Sequence, residues 1–240
     1  MLILAIDTSS RTGSAAVLRD SKVLAEVSGD EETPYSTRLF GDIALLQGRT
    51  GLRLDQIDVF AVAAGPGSFT GLRVGLTAVK GWAEVHGKPI AAISGLEAIA
   101  TESPKDGAAG ESQAHFLAPF LDARRGQIYG ALYRRIPENP SRLELASDES
   151  ILSLDEFLEL VKGKSAQTVD LVSPTPEVLP AARISEILPG ARVIQVSAAL
   201  APAIGRLGFE RAKRGDLVDS LSLDANYVRR SDAEGAWSDR

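Results

Sequence analysis

Ala64-Gly-Pro-Gly-Ser-Phe-Thr-Gly-Leu-Arg-Val-Gly75 is the segment on which the fold turns. The apolar run Val59–Ala64 leads into it with the β-branched and aromatic content of a buried strand, and an apolar pattern of helical spacing follows it. Glycine lets a backbone turn sharply and approach another surface closely. Ser68 or Thr70 is placed to cap the helix, whose free N–H groups form a natural anion site. Two readings stand at this point. The loop cradles phosphate, or it is a tight, well-capped connection between a strand and a helix.

Outward from this loop, the first hundred residues have a regular rhythm. Leu2–Ile6, Ser14–Leu18 and Val23–Val27 read as short strands, and Asp30–Pro34 as a polar loop. A helix is expected over Tyr35–Gly48, a strand over Val59–Ala64, a helix over Leu72–His86, a strand over Pro89–Ser94 and a short helix over Leu96–Thr101. This order predicts an α/β lobe with a mixed sheet. Glu102–Ser112 has the composition of a linker.

Beyond it the rhythm partly repeats. Strands His115–Leu121 and Gln127–Arg134 flank a turn at Asp122–Gly126, and Ile136–Asp148 reads as irregular. Then come a helix over Leu154–Val161, a strand over Thr168–Val172, a helix over Arg183–Leu188, a strand over Arg192–Val196 and a helix over Ala198–Arg214. The expected organisation is a lobe over 1–103, a shortened lobe over 104–230 whose last helix (about 198–214) packs back on the first, and a frayed tail over 231–240.

Each half opens with apolar residues running into an aspartate and a turn, Ile6-Asp7-Thr8-Ser9-Ser10 and Leu121-Asp122-Ala123-Arg124-Arg125. A duplicated lobe of this kind suggests an actin-like phosphotransferase architecture, in which such an aspartate handles metal-bound phosphate. Asp7, Ser9, Gly67, Ser68 and Asp122 are therefore the candidate cofactor-binding residues. Two ordinary hairpins with Asx turns are the alternative.

Composition and spacing exclude much else. The net charge of −6 speaks against an electrostatic nucleic-acid binder. The absence of cysteine removes disulfides, thiolate zinc sites and a cysteine nucleophile. Met1–Ile6 is too short for a secretory segment and no apolar run approaches a membrane span, so a soluble cytoplasmic protein is expected. Gly65–Gly71 misses the dinucleotide fingerprint by one residue, and Gly163-Lys164-Ser165 lacks the leading glycine of a P-loop, which is Leu158. His86 and His115 are too far apart in sequence for a local metal pair, and both read as structural or surface residues. No catalytic residue and no metal ligand is assigned.

The glycine segment, together with Leu4-Ala-Ile-Asp-Thr-Ser9, Leu121-Asp-Ala-Arg-Arg125 and Tyr227-Val-Arg-Arg-Ser231, resembles the bacterial TsaB (YeaZ) family over nearly the whole chain. The resemblance implies the actin-like ATPase (ASKHA) fold. It implies a part in making N6-threonylcarbamoyladenosine at position 37 of tRNA, as the non-catalytic partner of the transferase TsaD and alongside the ATPase TsaE. In TsaD the matching segment has a pattern like Val-Asn-His-x-Glu-Gly-His, whose histidines bind the active-site metal. In the frame Ile93-Ser94-Gly95-Leu96-Glu97-Ala98-Ile99 those positions are Gly95 and Ile99, which carry no ligand atom. No cofactor is therefore expected on this chain; ATP and metal are expected on its partners, and tRNA reaches it through the complex. Many relatives carry histidine where Tyr35 stands, which leaves any role of that position open. The rival readings are a standalone ATP-dependent small-molecule kinase of the same superfamily, to which the absent Gly-Gly turn and short second lobe are ill suited, and a metallopeptidase, for which the histidines do not suffice.

A non-catalytic partner has to present a surface. The helix over 36–48 carries Leu39, Phe40, Ile43 and Leu46 in a stripe, and the helix over 72–86 is apolar most of the way round, with Leu76, Val79, Trp82 and Ala83. These eight residues are the candidate interface with TsaD, or with a second copy in a homodimer. An intramolecular sandwich of the two helices is the alternative. The basic pairs Arg124-Arg125, Arg134-Arg135 and Arg229-Arg230 are candidate tRNA contacts or ordinary surface charges.

Overall fold

The computed structural model describes residues 1–29, 35–104, 115–136, 139–163 and 169–228, with 139–141 as backbone alone. The expected loop Asp30–Pro34, most of the expected linker, Lys164-Ser165, Arg229-Arg230 and the expected tail lie outside the described residues.

The chain runs twice through one element order. The first pass is β1 (Leu2–Asp7), β2 (Ser14–Arg19), β3 (Lys22–Ser28), α1 (Tyr35–Thr50), β4 (Val59–Gly65), α2 (Phe69–His86), β5 (Ile90–Ser94) and α3 (Gly95–Thr101). The second is β6 (His115–Arg124), β7 (Gln127–Ile136), β8 (Asn139–Ser153), α4 (Leu154–Lys162), β9 (Val169–Ser173), α5 (Ala181–Ile187), β10 (Arg192–Gln195) and α6 (Ala201–Arg214). Each pass makes a five-stranded mixed sheet with the same order, β3-β2-β1-β4-β5 and β8-β7-β6-β9-β10. In both, three antiparallel strands are extended by two parallel ones. The duplication suggested by the two aspartate turns is thus a duplication of whole sheets.

The chain divides into two compact units, Met1–Ala98 with Ala198–Arg240, and Ile99–Ser197. The division falls after Ala98 instead of residue 103, and the second unit closes at Ser197 instead of 230. The last helix of the second pass belongs to the first unit.

In the first unit β1, β4 and β5 are almost wholly apolar because the sheet is covered on both faces. Leu4, Ile6, Phe60 and Val62 pack under α1 and α2. The alternate residues face α6, where Gly208 stands against Ala61 and Gly205 against Leu18. The second unit has a smaller core, with Phe120 and Phe157 in ring contact at 5.6 Å. Its α4 and α5 have nine and seven residues against sixteen and eighteen in α1 and α2, which is where this lobe is shortened. The stretch expected to be irregular after Ile136 is mostly the edge strand β8. Three register shifts against β7 break the alternation that would have revealed it.

One polar cluster spans four adjacent strands of the second sheet. Asp170 on β9 is fully buried and takes both Nε and Nη2 of Arg192 on β10 at 2.7 Å. On its other side His115 Nε2 of β6 lies 2.9 Å from Oδ2, and Ser103 Oγ donates to the same oxygen at 3.0 Å. Arg135 of β7 donates to Ser103 O at 3.1 Å. Burial alone would raise the Asp170 carboxyl, but the hydrogen bonds and charges of His115 and Arg192 outweigh it and hold the group at about 2. A carboxylate held below its ordinary 3.8 stabilises the fold above that value and loses this contribution as pH falls toward 2. The stability gap between the wild-type chain and Asp170→Asn should therefore narrow by about 2 kcal/mol between pH 5 and 2. Urea midpoints across that range check it, and a constant gap overturns it.

Candidate functional site

The glycine loop joins β4 to α2 within the first unit, and its close approaches are to the protein's own chain. Gly65 has φ +123°, and a Cβ there would lie 2.6 Å from Asn226 O. At Gly67 a Cβ would lie 2.6 Å from Ser9 O, and at Gly71 2.0 Å from Thr8 O. The β1–β2 turn and the stretch around Asn226 thus occupy the space that the absent side chains leave. Hydrogen bonds lock the contact: Ser68 N donates to Ser9 O at 2.8 Å, Thr8 Oγ1 to Gly71 O at 2.7 Å and Asn226 N to Ala64 O at 2.7 Å. Ser68 caps α2 by accepting from Gly71 N at 3.3 Å. Of the two readings of this loop, the geometry matches the tight connection.

Asp7, Ser9, Gly67 and Ser68 are brought together here. Ser9 donates from N at 2.8 Å and from Oγ at 2.6 Å, both to Asp7 Oδ1. Asp7 is fully buried, and burial raises its carboxyl above the ordinary value, against the two Ser9 hydrogen bonds that lower it. Among the described residues, its Oδ2 and the buried Tyr35 hydroxyl have no hydrogen-bond partner. Asp122, the fifth candidate, lies in the second unit at the β6–β7 hairpin, exposed, with Oδ1 accepting from Arg124 N at 2.7 Å in an Asx turn.

Gly95 and Ile99 lie four residues apart, on one face of α3. A Cβ at Gly95 would make only ordinary contacts, 3.7 Å from Pro66 O and 3.8 Å from Gly65 O, and Ile99 is fully buried. No described group of three or more His, Asp or Glu side chains is arranged to hold a metal.

The remaining surface feature of this unit is the face formed by α1 and α2. Six of the eight expected interface residues, Leu39, Ile43, Leu46, Leu76, Val79 and Ala83, are buried in the unit's own core, and of these Leu39 also lines the groove beside α2. A helix apolar all round does not say which stripe its sheet takes; here the sheet takes Leu72, Gly75, Leu76, Val79 and Ala83. Phe40 and Trp82 are the two that reach outward. Phe40 is 67% exposed, and its ring meets Trp82 edge-on at 6.1 Å and 88°. Between them and Phe69 runs a groove of about 670 Å³ floored by Val74, Ala78 and Gly81, with Arg73 as its charged lining residue. The stripe continues to Val85, 77% exposed. Large apolar groups exposed together on one face are what protein interaction surfaces are commonly built from. Phe69, Arg73, Val74, Ala78, Gly81 and Val85 were not among the expected residues. Their signal was their position opposite the buried stripe on α2.

The basic pairs part company. Arg135 is buried in the Asp170 cluster, and Arg134 is paired with Glu144 at 2.5 Å. Arg124 and Arg125 stand exposed at the hairpin tip with φ of +66° and +57°.

A family model described as TsaD, tRNA N6-adenosine threonylcarbamoyltransferase, matches residues 35–184. The tRNA threonylcarbamoyladenosine biosynthesis protein TsaB of Bacillus subtilis (strain 168) is 32% identical over 237 residues, 99% of this chain and 98% of the relative. The solved structure of YeaZ from Pseudomonas aeruginosa superposes with TM-score 0.73 at 22% identity, covering 94% of this chain and 99% of that one. ROK hexokinase from Thermus thermophilus does so with TM-score 0.51 at 13% identity, over 88% and 100%. The two structures speak for the fold, which is that of the actin-like ATPases with both lobes present. With a relative matched from end to end at this identity, the chain belongs to the TsaB family.

Proposed function

We propose that this chain is a non-catalytic subunit in tRNA threonylcarbamoyladenosine biosynthesis, holding the transferase TsaD through its α1–α2 face. The observation that carries the reading is the exposed Phe40–Trp82 pair beside an apolar groove, on a lobe whose glycine loop is closed by its own chain. Gly95 and Ile99 supply no metal ligand, so metal and ATP chemistry belongs to the partners, TsaD and TsaE, and tRNA is met through the complex. Work of this kind is cytoplasmic. The same apolar face supports self-association when TsaD is absent, because an isologous patch can cover itself. The kinase reading has less support, since Asp7 is buried with a raised carboxyl and the loop above it is filled.

Reconstitution tests this. TsaD, TsaE, ATP and threonylcarbamoyl donor are expected to modify tRNA only when this chain is present. Full modification in its absence overturns the proposal.

A further inference from the structure

Tyr227 fixes where the last part of the chain leaves the first unit. Its ring packs on Phe69 at 5.1 Å, and its hydroxyl accepts from Arg73 Nε at 3.4 Å. Phe69 and Arg73 both line the α1–α2 groove, so the chain is pinned at one end of that groove. Arg229-Arg-Ser-Asp-Ala-Glu-Gly-Ala-Trp-Ser-Asp-Arg240 follows in the sequence, outside the described residues. It contains one large apolar side chain, Trp237, preceded by Asp232 and Glu234.

We infer that this segment is an intramolecular ligand of the groove, with Trp237 seated in it against the Phe40–Trp82 pair and the acidic residues passing Arg73. Reach permits it. Val228 to Trp237 spans up to roughly 30 Å of extended chain, whereas Phe69 to Trp82 along α2 is roughly 20 Å. Chemistry favours it. Aromatic rings flank the groove and small side chains, Ala78 and Gly81, floor it, which suits a flat indole. Arg73 stacks on Phe69 at 4.0 Å, and among the described residues no carboxylate pairs with it. Asp232 and Glu234 supply that charge. A tethered ligand acts at millimolar effective concentration, so even a weak contact occupies the groove until a partner displaces it. The competition with a partner rests on the proposed function; the docking itself does not.

Trp82 and Trp237 are the two tryptophans of the chain, so Trp82→Phe leaves Trp237 as the sole indole emitter. In that variant Trp237 is expected to emit blue-shifted and to resist acrylamide quenching, independently of protein concentration. Adding Phe40→Asp should return it to the emission of free indole. Solvent-like emission that ignores Phe40→Asp overturns the inference, and so does a shift that appears only as concentration rises, which would place the tail on a second copy. In the otherwise unaltered chain, truncation after Val228 should tighten binding to TsaD by about fivefold or more; unchanged affinity overturns the competition. If TsaD does not bind at all, the proposed function fails while the fluorescence still decides the docking.

Discussion

Phe40→Asp is expected to weaken the complex with TsaD by at least about 30-fold while leaving the free chain folded. The phenylalanine is 67% exposed and its main neighbour is Trp82. The substitution therefore removes one edge-to-face contact from the isolated protein, a loss under about 1.5 kcal/mol. In a complex the aspartate would be desolvated in an apolar pocket with no partner, and truncating central aromatic anchors typically costs 2 kcal/mol or more. Titration calorimetry on the chain ending at Val228, which keeps the tail out of the comparison, gives the clean number. Unchanged affinity would move the interface off the α1–α2 face.

Gly71→Ala is expected to destabilise the first unit by about 3 kcal/mol, although alanine is the better helix former by about 1 kcal/mol. The added methyl would lie 2.0 Å from the Thr8 carbonyl, which is backbone and cannot swing aside. Either α2 lifts off the β1–β2 turn, or the bond from Thr8 Oγ1 to Gly71 O is lost. Gly81→Ala is the control. It is also helical, but among the described residues nothing outside its own helix backbone lies within 4 Å of the new methyl, so in the chain ending at Val228 propensity applies and stability should rise by roughly 0.5–1 kcal/mol. Chemical denaturation of both variants checks the pair; a Gly71→Ala chain as stable as the parent would remove the close-packing account of the loop.

The strands and helices of the first lobe were legible because their signals are local. Val59–Ala64, Ser68 and the stripe on α2 each declare themselves within a few residues. The glycines were legible as sites of close approach, but what they approach was not. Thr8, Ser9 and Asn226 come from distant parts of the chain, and only the fold brings them under the loop. The Asp170 cluster was missed for the same reason, since its members sit on four strands and a turn. One clue was available: a carboxylate inside the apolar run Val169-Asp-Leu-Val172 must have partners. The interface was half legible. Phe40 and Trp82 were found, but large apolar residues were favoured over position. That choice selected Leu76 and Val79, which the sheet takes, over Val74, Ala78 and Gly81, which it leaves in view.

The position of α6 has a consequence for how the protein is made. The ribosome releases all five strands of the first sheet before residue 100, yet the helix that roofs one face of that sheet is encoded after residue 200. Throughout synthesis of the intervening hundred or so residues, Ala61, Ala91 and Leu18 await Gly208 and Gly205. A nascent chain stalled before Ala201 would carry a half-clothed sheet, a natural client for chaperones and proteases. Synthesis of α6 is thus the step that closes this face of the first-formed sheet.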